Sequence, residues 1–270
     1  MSKIEISHLL IYPIKSTIGI ELEESIIENI GLKFDRSFAV INKDNQVITA
    51  RENPKLLNLI TKIDDSKLSL STFDKEDVEL SLTEKYDNKN STVGLFKDEV
   101  NAKIIHHKIN NWISEMIEEP SKLIAIDNNE LIKVKPKYNG KVNDYITFND
   151  AAPLHLISEA SVNDLNLHLE KPVTIHRFRP NIVIKGCKAY EEETWKQIKI
   201  GTCLFDVAVR TKRCSFLTIH PKTLERDTKQ EPLRTLAKVR KGTNKANFGL
   251  YLIPRKLGVV RRFDELEVIG

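Results

Sequence analysis

The stretch NIVIKGCKAYEEETWKQIKIGTCLFDVAVR, residues 181–210, carries the fold class. It holds three short runs, NIVIKG, WKQIKIG and CLFDVAVR, rich in isoleucine, valine and phenylalanine and parted by polar or glycine-containing segments. Branched and aromatic side chains suit a pleated surface, and runs this short between turn residues read as strands. The same texture extends outward. IEISHLLIYPIK is a strand closed by Pro13. DRSFAVINKDNQVITAR reads as a hairpin turning at Lys43–Asn45, and LNLITKIDDSKLSLSTF as another turning at Asp64–Ser66. EVNAKIIHH, PLHLI, FGLYLI and ELEVIG complete the set of strands. Helices are few. INNWISEMIEE places Ile109, Trp112, Ile113, Met116 and Ile117 on one face and stops at Pro120. SEASVNDLNLHLE starts at Ser158, a suitable N-cap, with Val162, Leu165 and Leu169 at helical spacing. EPLRTLAKVRK opens on an acid and a proline and closes on basic residues, as the helix dipole favours. Residues 133–152 are polar and read as a boundary or a mobile loop. Many short strands with two or three helices predict an α+β fold rich in β-barrel structure.

Charge divides the chain. Residues 1–170 have a balance of −8, residues 171–262 one of +15, and the last eight −3. A basic C-terminal half calls for an anionic partner. The cations are scattered among strands, without a helix-turn-helix, zinc-finger or RNA-binding signature, so a small anionic ligand is favoured over nucleic acid. No apolar run is long enough to span a membrane, and the N-terminus lacks the features of a signal peptide.

Three cysteines, Cys187, Cys203 and Cys214, suggest a reducing compartment and fit no zinc spacing. Cys214 follows Arg210, Lys212 and Arg213. Cations favour the thiolate, which is both nucleophile and soft metal ligand; the competing reading is a small buried side chain beside a basic turn. The dispersed histidines, His106, His107, His155 and His168 among them, read as structural or surface residues. Dinucleotide, P-loop, nucleophile-elbow and zinc-protease motifs are absent. Four segments remain: YPIKS with Lys15 and Ser16, LKFDRSF with Arg36, RFRPN with Arg177, Arg179 and Asn181, and KRC with Lys212, Arg213 and Cys214. Arginine and lysine beside hydroxyl and amide groups suit a phosphate or a polyanionic heterocycle.

In order, IYPIKS, GLKFDRSF, VITARENPKL, FNDAAPLHLISEASVNDLN, RFRPNIVIKGC, RCSFLTIHPKT, EPLRTLAKVR and FGLYL resemble the MOSC-domain family with its N-terminal β-barrel companion. The mitochondrial amidoxime-reducing component and the bacterial YcbX-type reductases belong to it. The resemblance implies an N-terminal β-barrel domain over residues 1–120, whose first strands pack with the remainder, and a MOSC domain over 121–270. It implies a molybdenum cofactor, with Cys214 as the metal's thiolate ligand. Lys15, Ser16, Arg36, Arg179 and Asn181 would hold the pterin and its phosphate, beside Lys212, Arg213, Tyr251 and the Asp150, Ala151 and Ala152 loop. The chain departs from the family at Lys212, Ala151, Ala152, His220 and Leu250, all at or near that site. Cys187 also matches a family cysteine and reads as structural.

The implied activity is reduction of N-hydroxylated compounds, namely amidoximes, hydroxylamines and N-hydroxylated bases. Lys212, His220 and Tyr251 are open candidates for a proton or a hydrogen bond. Without the four-cysteine iron–sulfur domain of the YcbX-type proteins, electrons would come from a separate ferredoxin-, flavodoxin- or cytochrome b5-like protein. A cytoplasmic location is expected. Two other readings stand beside this one: a cofactor or sulfur carrier without turnover, although the pyridoxal-phosphate domain of the sulfurases is missing, and a metal-free protein binding an acidic partner.

Overall fold

The computed structural model describes residues 3–73, 75, 77–83, 90–105, 107–239 and 246–270. Its largest sheet has eight strands. In order they are Ile20–Leu22, Glu5–Ile11, Ile182–Lys185, Leu154–Ser158, Asn247–Lys256, Cys203–Lys212, Gln197–Ile200 and Leu266–Val268. Only Leu154–Ser158 and Ile182–Lys185 run parallel. All three runs of the 181–210 stretch are therefore strands of one sheet, and the first strand of the chain lies beside one of them.

The strand Glu5–Ile11 packs on both faces: its side chains alternate across the sheet, and an irregularity between Ile6 and His8 puts Ile6 on the side of Leu9 and Ile11. Ile6, Leu9 and Ile11 pack with Leu156, Phe205 and Leu252. Leu10, with Tyr12 just beyond the strand, packs on the other side with Phe178, Leu217 and Phe248. Each such aliphatic side chain contributes roughly 1.5–3 kcal/mol when removed from water.

A four-stranded sheet orders Phe38–Asn42, Ser121–Ile126, Asp98–Ile104 and Asn90–Leu95, and a three-stranded one orders Ile60–Ile63, Lys67–Ser71 and Val78–Ser81. The helix Ile109–Ile117 buries Ile109, Trp112, Ile113 and Ile117 among residues of these sheets, with Met116 partly buried against the same cluster. Ile219, far along the chain, belongs to that cluster too. Among the described residues no helix is long and apolar enough to cross a membrane.

Several expectations are refined. The hairpin from Asp35 does turn at Lys43–Asn45, but its return arm makes only isolated bridges at Gln46 and Val47. The helix after Ser158 ends at Asn166, short of Leu169; Ser158 Oγ does accept from the Ser161 amide, at 3.4 Å. The last helix is Leu233–Val239, and the Arg240 and Lys241 expected to close it, like His106, lie outside the described residues. The 133–152 segment is not a free loop. Asp144 pairs with Arg255, and Thr147, Phe148 and Asn149 are buried.

That segment is one of three that are stitched together by backbone hydrogen bonds. The Arg36 amide donates to the Tyr12 carbonyl at 2.8 Å, Lys15 to Phe38 at 2.9 Å, and Phe148 to Arg36 at 3.1 Å. Gly249 lets a fourth element come close: at φ +78°, a Cβ there would sit 2.5 Å from the Leu156 carbonyl oxygen and 2.6 Å from His155 Nε2.

Candidate active site

These segments enclose a cleft of about 780 Å³, counting the space open to solvent. The strand Cys203–Lys212 delivers Lys212, Arg213 and Cys214 to it as the chain leaves the sheet. Cys214 opens a short turn, Ser215–Thr218, without capping it through its side chain, and is exposed. Lys15, Ser16, Arg36, Asp150, Ala152, Arg179, Asn181 and Tyr251 line the same cleft. Eleven of the twelve residues singled out in the sequence thus meet in one place. Ala151 does not: it faces a neighbouring cleft.

Local backbone geometry aims three of these residues. Ser16, Arg36 and Arg179 have φ of +72°, +48° and +53°. Non-glycine residues in this region cost free energy that surrounding structure must offset, and they gather at functional sites. Here the offset is visible. Arg36 Nη1 donates to Asp35 Oδ2 at 2.5 Å and to Asn181 Oδ1 at 3.1 Å, and Nη2 donates to the Arg179 carbonyl at 3.3 Å. Arg179 Nη1 donates to the Thr17 carbonyl at 2.6 Å. The Tyr12 ring lies against both guanidinium groups, 4.5 Å from Arg36 and 4.1 Å from Arg179. Asp35, fully buried, also accepts from the Tyr12 amide at 2.8 Å and from Asn149 Nδ2 at 3.2 Å.

Electrostatics favour an anion. Among the described residues six cations line the cleft, Lys15, Arg36, Arg51, Arg179, Lys212 and Arg213, against one carboxylate, that of Asp150. Burial pushes Lys15 down, and Asp150, 2.5 Å from its Nζ, only partly restores it. Burial outweighs the neighbouring Tyr12 and brings Arg179 to about 10, with Arg36 adding repulsion. Burial also lowers Arg213, whose Nε is buried without a hydrogen-bond partner. The crowded cleft disfavours the charge on Asp150, although its side chain is itself largely exposed, yet Lys15, Arg36 and Arg51 hold it at about 2. An anion entering here would relieve mutual repulsion among desolvated cations and satisfy a free donor.

His155, which the sequence suggested was structural, lies on the wall. Its Nε2 is 3.4 Å from the Phe248 carbonyl oxygen and 3.5 Å from Arg213 Nη1, and its ring centroid is 5.9 Å from that of Tyr251. Burial, then Arg213, holds it well below 6.5, so it is neutral. Unfolded, the ring takes up a proton near pH 6.5; folded, it resists. Its contribution to stability is present above that pH and is lost as pH falls below it. The more exposed His176 is shifted in the same direction, by desolvation. The melting temperature is therefore expected to drop from pH 7 to pH 5, and His155→Gln to flatten that slope. An unchanged slope would show that another group sets it.

Other expectations need correcting. Arg210 does not join Lys212 and Arg213 at the thiol; it pairs with Glu193 at 3.2 Å. Arg177 donates to the Ile219 carbonyl and lines a different cleft. His220 lies outside the cleft, and its Nδ1 accepts from the amides of Lys222 and Thr223. Tyr251 does line it, with a phenol that burial raises above its usual range. Cys187 is partly buried and raised by burial, its thiol directed to Ser158 Oγ at 3.3 Å, and Cys203 is buried. Besides His155, the sequence did not single out Thr49, Arg51, Phe96 or Asn149, which line the cleft together with Phe178, Phe216 and Leu217. Among the described residues no group of three or more His, Cys, Asp and Glu could hold a metal ion.

Comparison with known proteins agrees with this architecture. The model for the MOSC N-terminal beta barrel domain matches residues 3–120, and that for the MOSC domain matches residues 143–267. Rat mitochondrial amidoxime reducing component 2 is 31% identical over 276 residues, spanning 96% of this chain and 81% of the relative. Human mitochondrial amidoxime-reducing component 1 is 28% identical, spanning 98% and 83%. A rice molybdenum cofactor sulfurase is 29% identical over 93% of this chain, which covers 33% of that protein. Matched over most of its length by two domain models in succession, with relatives that align over nearly all of it, the chain belongs to the family of MOSC-domain proteins that carry the MOSC N-terminal β-barrel domain.

Proposed function

We propose that the chain is a molybdenum cofactor-dependent reductase of N-hydroxylated compounds that receives electrons from a separate protein. The observation that carries this reading is the exposed thiol of Cys214 at the edge of a cleft with six cations and one carboxylate. A thiolate is a soft ligand of the kind a redox-active metal takes. A phosphate-bearing pterin brings the negative charge that the cations lack. The donor set fits that group on two counts: the unpartnered Arg213 Nε, and a thiol beside Lys212 and Arg213 in the same cleft. The names of the rat and human relatives support amidoxime reduction.

When bound, the cofactor would supply two-electron removal of the substrate oxygen, leaving an amidine or amine and water. The chain's own residues do the rest. Arg36, Arg179 and Asn181 are braced by Asp35 and by one another, so they can hold an anion without rearranging. Lys15, shared between Asp150 and the Phe148 carbonyl, adds a charge from the floor. Cys214, exposed on a short turn, is the residue that would ligate the metal. Burial and then Arg213 favour the neutral form of His155, which ranks it behind Tyr251 and Lys212 as a proton donor. Tyr251 keeps its phenolic proton and is a hydrogen-bond donor on the wall, with Lys212 as the solvent-facing alternative.

The test is the molybdenum content of protein made in a molybdate-supplied host that synthesises the cofactor, together with amidoxime turnover driven by an artificial reductant. Near-stoichiometric molybdenum with turnover is expected. The partial match to the rice sulfurase favours a second reading, a carrier; it would load molybdenum, release it readily and turn nothing over. Well-folded protein free of molybdenum would overturn both.

A further inference from the structure

A second cleft adjoins the first and shares Phe96, Asn149 and Asp150 with it. Its floor is apolar, made by Leu95, Val100, Ile132, Ile146 and Ala151. Its rim is basic. In KVKPK, residues 133–137, Val134 packs inward with Ile146, Ala208 and Ile253, while the three lysines are exposed. Lys135 is held by Asp98 at 2.5 Å. Lys133, Lys137 and Lys97, all on this cleft, have no carboxylate partner among the described residues. Two aromatic rings mark its ends. Phe96 sits at a hairpin tip with φ +60°, 47% exposed, its ring 4.9 Å from Lys15 Nζ and 5.0 Å from the Arg51 guanidinium. Tyr138 meets Tyr251 edge-on at 6.3 Å, and Tyr251 lines the Cys214 cleft.

An apolar floor between two rings suits a flat organic group, and unpaired lysines beyond it suit an acid. We propose that this second cleft is a subsite for the distal part of the substrate and that it selects N-hydroxylated compounds whose aromatic body carries an acidic group. The inference rests on the Cys214 cleft being the reaction site. The acidic group is held at the lysine rim while the N-hydroxyl end reaches across Phe96 and Asn149.

The holoprotein is assayed with benzamidoxime and its para-carboxylate, in the wild type and in a Lys133→Glu, Lys137→Glu double variant. Both lysines are exposed and neither lines the Cys214 cleft. The carboxylate is expected to have a KM about threefold lower than the parent, about 0.7 kcal/mol, with similar kcat. The double variant should erase or invert that preference and leave kinetics on the parent unchanged. Equal KM values, or a preference that survives the double variant, would overturn the subsite. Calorimetric binding of the two corresponding amidines, which are not reduced, separates this from the reaction itself. Lysine-dependent preference for the carboxylated amidine without any turnover would uphold the subsite and sink the reductase reading. Turnover without charge preference would do the reverse.

Discussion

Cys214→Ser is expected to lower amidoxime reduction by about a thousandfold or more and to leave a protein that no longer retains molybdenum through gel filtration. The magnitude follows from what the substitution removes. Partners of a metal's ligands already cost about 10–100-fold when mutated, and losing the protein's own ligand costs more. The fold gives a clean control. Cys214 is exposed, its side chain caps nothing, and it sits where serine is a favoured helix-capping residue. The melting temperature should therefore stay within about 2 °C of wild type, as for an exposed substitution that breaks no packing. Full molybdenum retention and near-normal turnover in the serine variant would mean that the thiol only packs, and that the site must be sought among the cations alone.

Asp35→Ala is expected to cost about 3–5 kcal/mol of stability, the range for removing one partner of a buried ion pair. In a chain of this size that is a fall in melting temperature of roughly 6–20 °C. Asp35 side-chain atoms are 0% exposed, and the partner Arg36 only 13%. Without the carboxylate, Arg36 is left as a buried charge, the Tyr12 amide loses its acceptor, and Asn149 loses one of its contacts. Anion binding should weaken together with stability, since Arg36 would no longer be held in its left-handed turn. Joining Asp35→Leu to Arg36→Met should restore much of the stability, because no unpaired charge remains, and none of the anion affinity. Recovery of both in the double variant would show that Arg36 takes no part in binding.

Asp35 stands in the quoted segment LKFDRSF, yet only Arg36 drew attention there. An arginine announces an anion, whereas a carboxylate whose task is to orient that arginine looks like any charged residue at a strand start. The cleft residues that were legible, Lys15, Arg36, Arg179, Asn181 and Cys214, each carry chemistry in their own side chain and fall in local segments of unusual composition. Those missed are of two kinds. Phe96 and Arg51 reach the cleft from a hairpin and a turn whose place beside it depends on tertiary structure. His155 is hidden in PLHLI, where an apolar context suggests core packing; the absent side chain at Gly249 is what brings it against the cleft. Ala151 and Ala152 are adjacent, but they line different clefts, and only the second borders the one that holds Cys214. The strands were readable one at a time from composition. Their partners were not, because pairing is set by contacts between segments far apart in sequence.

The place of Glu5–Ile11 in the large sheet has a consequence for assembly in time. Its neighbour Ile182–Lys185 is paired at Glu5 with Lys185 and at Leu9 with Ile182. One edge of Glu5–Ile11 can pair at once with the nearby Ile20–Leu22, while its other edge must wait for Ile182–Lys185, since long-range pairing of this kind is slow and comes late. Lys15 and Ser16 follow directly on Glu5–Ile11, while Tyr251 and Cys214 arrive only with the last fifth or so of the chain. The cleft is therefore incomplete until both groups of residues have been made, and an anion bound as proposed would hold together segments that lie far apart in the sequence.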